Sequence, residues 1–173
     1  MQAPELSISH WFNTDQDVTL GILRGRVVVI EAFQMLCPGC VLHGIPLAQS
    51  IQRTFAGDQV AVIGIHTVFE HHEAMTPVSL KAFLHEYRIS FPVRVDKPGA
   101  GPLPETMAAF DMRGTPSLIV LDQAGQIAAH HFGQVSEMQI GAQIATLLAN
   151  GPKVADQVDQ SPSGDACELG GCD

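Results

Sequence analysis

The sequence predicts an α/β fold, a central and mainly parallel sheet with helices on both faces, on three observations. Residues 27–33, 60–65 and 117–121 form apolar, mostly β-branched runs with little polar alternation, as expected of strands covered on both sides. Residues 38–55, 77–87 and 135–148 carry apolar side chains at helical spacing. The two patterns alternate along the chain and end in a hairpin and a helix, an order that builds a largely parallel sheet.

Residues 1–20 read as an irregular entry with a turn at Asn13-Thr14-Asp15 and a short strand pair, and 20–24 as one helical turn. The strand 27–33 is interrupted only by Glu31. The helix that follows has Val41, Leu42, Ile45, Ala48 and Ile51 as its apolar positions and is closed by Gly57. After the strand 60–65, residues 66–77 are polar and rich in histidine and read as a loop. The helix 77–87 presents Leu80, Phe83 and Leu84 on one face, and a short strand follows at 91–95. Residues 97–104 are a Pro/Gly-rich loop and 105–110 a short helix. Asp122-Gln123-Ala124-Gly125 supplies turn residues between the strands 117–121 and 126–132. No internal repeat is present. From Asn150 the composition shifts to Gly, Pro, Ser, Asp and Gln, so residues 1–150 are expected to form one domain and 151–173 a flexible tail.

Bulk properties narrow the function. A chain of 173 residues with 46% apolar and 16% charged residues has enough material for one full core. The formal net charge is -9; residues 151–173, with one Lys against five acids, account for -4 of it, leaving -5 on the body. With no Lys/Arg cluster, the composition argues against nucleic-acid binding and against docking on anionic membranes. No segment approaches the roughly 18 uninterrupted apolar residues of a membrane helix. Met1-Gln2-Ala3-Pro4-Glu5 lacks the basic start and apolar stretch of a secretory signal, so a cytoplasmic location is expected if Met1 is the natural start. Four cysteines in two close pairs then point to catalysis or metal binding rather than to structural staples.

The first pair is Cys37-Pro38-Gly39-Cys40. Two cysteines three apart at a helix start share a face and lie close enough to bridge. Cys37 would sit where free N–H groups and the helix dipole favour negative charge, which activates its thiolate. Cys40, one turn inside, would be the resolving thiol, and Pro38 suits the first helical turn. The competing reading is half of a zinc site, which needs two further ligands; no second CxxC or HxxxH lies at a finger-like distance. Glu31, six residues before Cys37, is either buried in its apolar strand, with a raised pKa suited to accepting a thiol proton, or exposed at the strand end.

With Gly114-Thr115-Pro116 ahead of the strand 117–121, residues 27–40 resemble the thioredoxin fold, and more closely the TlpA/ResA-type reductases of the wider redoxin group. The resemblance covers about residues 6–149, and the helix 77–87 with the strand 91–95 matches the inserted unit of that type. It implies that Pro116 is the cis-proline beside the dithiol, that Thr115 offers backbone hydrogen bonds to an extended substrate, and that Glu31 relays a proton for Cys40. Pro38, Gly39, Thr115 and Pro116 are thus expected to bind substrate. Leu36 replaces the tryptophan that thioredoxins place before the first cysteine. Pro46 lies one residue later than the helix proline usual in the TlpA/ResA type, and Gln34 stands where peroxiredoxins carry Thr or Ser.

The second pair, Cys167 and Cys172, closes the tail. About seventeen chain steps span roughly 23 Å as a coil and up to about 58 Å extended, against a body radius of gyration of about 15 Å. Reach therefore permits an auxiliary redox role, alongside a weak metal site or an inert tail. His66, Glu70, His71, His72 and Glu73 gather after the strand 60–65; a solvated loop shaping substrate access is expected ahead of a metal site. His43 either lines the pocket or occupies an exposed helix position.

The expected activity is dithiol–disulfide exchange without cofactor or resident metal. Its partners are a disulfide-containing protein or small molecule and an unidentified dithiol electron donor. A thiol peroxidase and a metal-binding or delivery module are the alternatives.

Overall fold

The computed structural model describes residues 1–151, so the expected flexible tail, with Cys167 and Cys172, lies outside the described residues. Six strands form one sheet: β1 (Ile8–Phe12), β2 (Val27–Phe33), β3 (Val60–His66), β4 (Val93–Asp96), β5 (Ser117–Leu121) and β6 (Ile127–Phe132), in the order β1-β4-β3-β2-β5-β6. The helices are α1 (Ile45–Thr54), α2 (Pro77–Glu86), α3 (Glu105–Ala109) and α4 (Glu137–Asn150). No helix among the described residues is long and apolar enough to cross a membrane.

The sheet is mixed, which corrects the expectation of a mainly parallel one. β2 runs parallel to β3 and β3 to β4, whereas β5 is antiparallel to β2, β6 to β5 and β1 to β4. Burial patterns carry no strand direction, and the connection through α3 stays at the end of the sheet where β4 finishes, so β5 starts opposite Ala32 and runs back against β2. The entry segment also differs: it has no strand pair of its own, and β1 instead covers the outer edge of β4. Residues 20–24 form turns.

Two apolar layers sandwich the sheet. Val27, Val29 and Phe33 of β2 pack with Ile45, Ala48 and Ile51 of α1, Leu80 and Leu84 of α2, and Ile140 and Ile144 of α4. Val28, Ile30 and Ala32 face the opposite layer, with Leu20, Leu23, Met107 and Phe110. Every residue of β2 is buried, so the strand that leads to Cys37 is fixed on both faces and by both neighbours.

Gly64, opposite Glu31 in register, makes room for β3 to sit under two phenylalanines. A Cβ there would lie 2.9 Å from both Phe91 Cε2 and Val93 Cγ2, and 3.2 Å from Phe33 Cε1. Gly64→Ala is expected to destabilise the fold by about 1–3 kcal/mol, the usual cost of overpacking a core. A lowered urea midpoint at unchanged slope would show it; an unchanged midpoint would mean that the two rings yield freely.

Candidate active site

The site is built where β2 ends. Gln34 closes a turn by accepting the Cys37 amide at 3.2 Å, and Pro38 and Gly39 are helical. Residues Cys40–Gly44 then form a π turn, in which the Ile45 N–H donates to Cys40 O, five residues back, before α1 begins. Pro46 has no N–H for a regular helical bond at that point, and a π turn absorbs one residue more than an α turn. This accommodates the late proline noted in the sequence. It also explains why Leu42, an expected core position, is 67% exposed while Ile45, Ala48 and Ile51 return to the core.

Cys37 and Cys40 are joined as a disulfide with Cα atoms 5.3 Å apart. Cys37 is half-buried and Cys40 fully buried, so only the first sulfur is open to a partner. The Cys40 N–H points at Cys37 Sγ at 3.2 Å, which places a helix-start amide where charge on that sulfur would develop. Leu36, on the rim beside Cys37, is 58% exposed.

The loop before β5 forms the opposite wall. The Thr115–Pro116 peptide bond is cis. Thr115 O lies 3.5 Å from Cys37 Sγ, and a Cβ on Gly39 would meet Pro116 Cδ at 3.2 Å. The loop is held by Ser117 Oγ donating to Gly114 O at 2.8 Å and by the Gly133 N–H donating to Pro116 O at 2.9 Å. Cys37, Pro38, Gly39, Thr115 and Pro116 therefore meet in one place.

Glu31 is buried at 1% exposure on the α1 side of β2, and its Oε1 has no hydrogen-bond partner. Burial holds its carboxyl well above the usual range, so the neutral acid is favoured in the folded protein. Gly44 and Pro116 lie against it: a Cβ on Gly44 would sit 3.0 Å from Pro116 Cβ and would overlap Glu31 Oε1 outright. Gly44 went unnoticed in the sequence, where a glycine in a helix carries no sign of what it touches.

The His-rich segment does not gather as a group. His66 is the last residue of β3, buried against Phe33 with ring centroids 5.4 Å apart, and burial lowers its pKa to about 4. Gln34, also buried, joins this segment to the dithiol loop. Its Oε1 accepts the Phe69 N–H at 3.3 Å, and its Nε2 donates to Glu70 Oε1 at 3.4 Å. Among the described residues, no three or more His, Cys, Asp or Glu side chains are gathered as metal ligands.

A dithiol at a helix start, a cis-proline loop against it and a buried acid behind it define a thioredoxin-like thiol–disulfide oxidoreductase. Residues 1–130 match the AhpC/TSA family, and the chain belongs to it. A crystal structure of a thioredoxin-like superfamily protein is 68% identical, with TM-score 0.86, covering 87% of this chain and 98% of that one. A thiol-disulfide isomerase from Corynebacterium glutamicum is 47% identical, with TM-score 0.82, covering 86% and 98%. A thioredoxin-like protein of Bacillus subtilis is 24% identical over 140 residues, 80% of this chain and 74% of the relative.

Proposed function

We propose that the protein reduces disulfide bonds in a protein or small-molecule substrate, with Cys37 as nucleophile, Cys40 as resolving thiol and Glu31 as the group that takes the Cys40 proton. The observation that carries this reading is the asymmetry of the bonded pair: one sulfur is accessible beside the cis-proline loop, and the other is sealed in the core. Thr115 and Pro116 would align an extended substrate against Pro38 and Gly39. The inserted α2–β4 unit supports assignment to the TlpA/ResA type. A dithiol donor of unidentified chemistry returns the pair to its reduced state.

Direction depends on potential. Related dithiol enzymes spread over about 150 mV, worth about 7 kcal/mol. In a reducing compartment, the proposal expects the Cys37–Cys40 couple to lie toward the reducing end of that range. Reduced protein given an oxidised peptide should lose two thiols for each peptide disulfide reduced, while consuming peroxide no faster than a free thiol does. Rapid peroxide-driven oxidation of the dithiol would transfer the assignment to a thiol peroxidase.

Cys167 and Cys172 are proposed as a second exchanging pair, on the strength of their spacing and the length of chain that separates them from the body. The Cys167→Ser/Cys172→Ser variant should slow reoxidation or re-reduction of Cys37–Cys40. Unchanged kinetics would remove the tail from the mechanism.

A further inference from the structure

Glu31 poses a problem that its proposed role does not solve. In the resolution step, Glu31, held neutral by burial, first gives up its own proton; Cys40 S–H then gives its proton to the Glu31 carboxylate, and the Cys40 sulfur attacks Cys37 Sγ. The Cys37–Cys40 bond forms, the Cys37–substrate bond breaks, and the departing thiolate takes a proton from solvent. The dithiol has lost two electrons and the substrate disulfide has gained them. Glu31 ends as the acid it began as: it can hand the Cys40 proton back when the pair is re-reduced, but its own first proton must leave toward water before resolution can proceed. Yet it is 1% exposed, at the centre of the sheet between Gly64 of β3 and Leu118 of β5.

One gap leads to it. A narrow cleft of about 10 Å³, close to the space one water-sized sphere needs, is lined by Glu31, His43, Gly44, Pro116, Leu118 and Gln134, among others. Its floor is the carboxyl whose Oε1 has no partner. At Gly44 the turn's backbone packs directly over that oxygen, and any side chain there would overlap it. His43 and Gln134, both exposed, are the polar side chains on the lining beyond Glu31 itself. β5, the cis-proline loop and residues 133–135 contribute Leu118, Pro116, Gly133, Gln134 and Val135, none of them charged. His43 is thus the second titratable group on the lining; the Cys40 thiol of the reduced protein is the proton donor on the same turn.

The π turn sets this arrangement. Each residue of an α-helix turns by about 100°, so one additional residue between Cys40 and α1 changes which side chain faces the sheet. In this turn, Gly44 is buried over Glu31 and His43 is exposed one residue earlier. We propose that the turn opens a proton port to Glu31, in which Gly44 is the side-chain-free cover over the carboxyl and His43 the proton-exchanging group at the mouth. The inference rests on the proposed service of Glu31 to Cys40, and it adds the route by which Glu31 loses its first proton.

The test uses the full chain, reduced and mixed in dilute buffer with an aromatic disulfide that releases a coloured thiol. The first release reports attack by Cys37, and the second reports resolution by Cys40. His43→Gln should slow the second release relative to the first by about tenfold, a modest share of what general acid–base groups contribute. Added imidazole should restore it, which no structural defect would allow. Gly44→Ala should displace the pH dependence of the second release, since its methyl must move the carboxyl. An unchanged ratio in His43→Gln, or a slowed one that imidazole leaves slow, overturns the port. If the wild-type protein itself gives no second release, the exchange mechanism fails first and the port with it.

Discussion

Cys37→Ser is expected to abolish disulfide exchange, a loss on the order of 10⁴-fold or more, because the second thiol at the site, Cys40, is sealed in the core and out of reach of a substrate. Cys40→Ser should behave differently. It leaves the half-exposed Cys37 in place beside Thr115 O, so the first attack proceeds, but no second sulfur is available to release the substrate. A mixed disulfide should then accumulate, visible as the added substrate mass on the intact protein and reversible by a small thiol. The asymmetry follows from burial. Cys40 is 0% exposed, and its own amide N–H lies 3.2 Å from Cys37 Sγ, so the donor that stabilises charge serves the outer sulfur alone. Trapping of substrate by Cys37→Ser instead, with Cys40→Ser inert, would reverse the two roles.

How far the sequence anticipates this site depends on the range of each interaction. The dithiol, its helix and the run 27–33 are local patterns, and each lies where spacing and periodicity place it. Burial of Glu31 is legible only in part: its apolar strand favours it, but an exposed strand end fits the same residues, and the pairing with β3 and β5 on either side decides it. What escapes the sequence is set by contacts far apart in the chain. The direction of the β5–β6 hairpin against β2 and the pairing of β1 with β4 have no local signature, since an apolar strand reads the same in either direction. His66 looks like the first residue of a loop, yet β3 continues through it because Phe33 pairs with it in register. Gly44 and the π turn are hidden for a related reason. An additional residue disturbs helical periodicity by one step, enough to expose Leu42, while only the folded structure shows which residue then covers Glu31.

Glu31→Gln should combine a catalytic loss with a pH-dependent gain in stability. Without the carboxylate, Cys40 must lose its proton to water, and resolution at neutral pH is expected to slow by about 10²-fold. The stability effect follows from linkage. Burial raises the folded pKa of Glu31 above its unfolded value, so between the two the native state holds a proton that the unfolded chain has released. Wild-type stability therefore falls as pH rises through that window, by about 1.4 kcal/mol per pH unit, and levels off above the folded pKa. Below the unfolded pKa both forms are neutral, and glutamine confers no such advantage. His66 acts with the opposite sign: burial lowers its pKa from 6.5 to about 4, so in that interval the unfolded chain binds the additional proton and stability rises with pH. Where the two windows overlap, the two slopes offset each other in the wild type. Urea midpoints of Glu31→Gln and wild type should therefore separate steadily as pH rises from about 5 toward the folded pKa of Glu31, because the His66 contribution is common to both and cancels in the difference. Parallel curves would mean that the carboxyl ionises inside the fold at no cost, and a buried acid of that kind would have no reason to take a proton from Cys40.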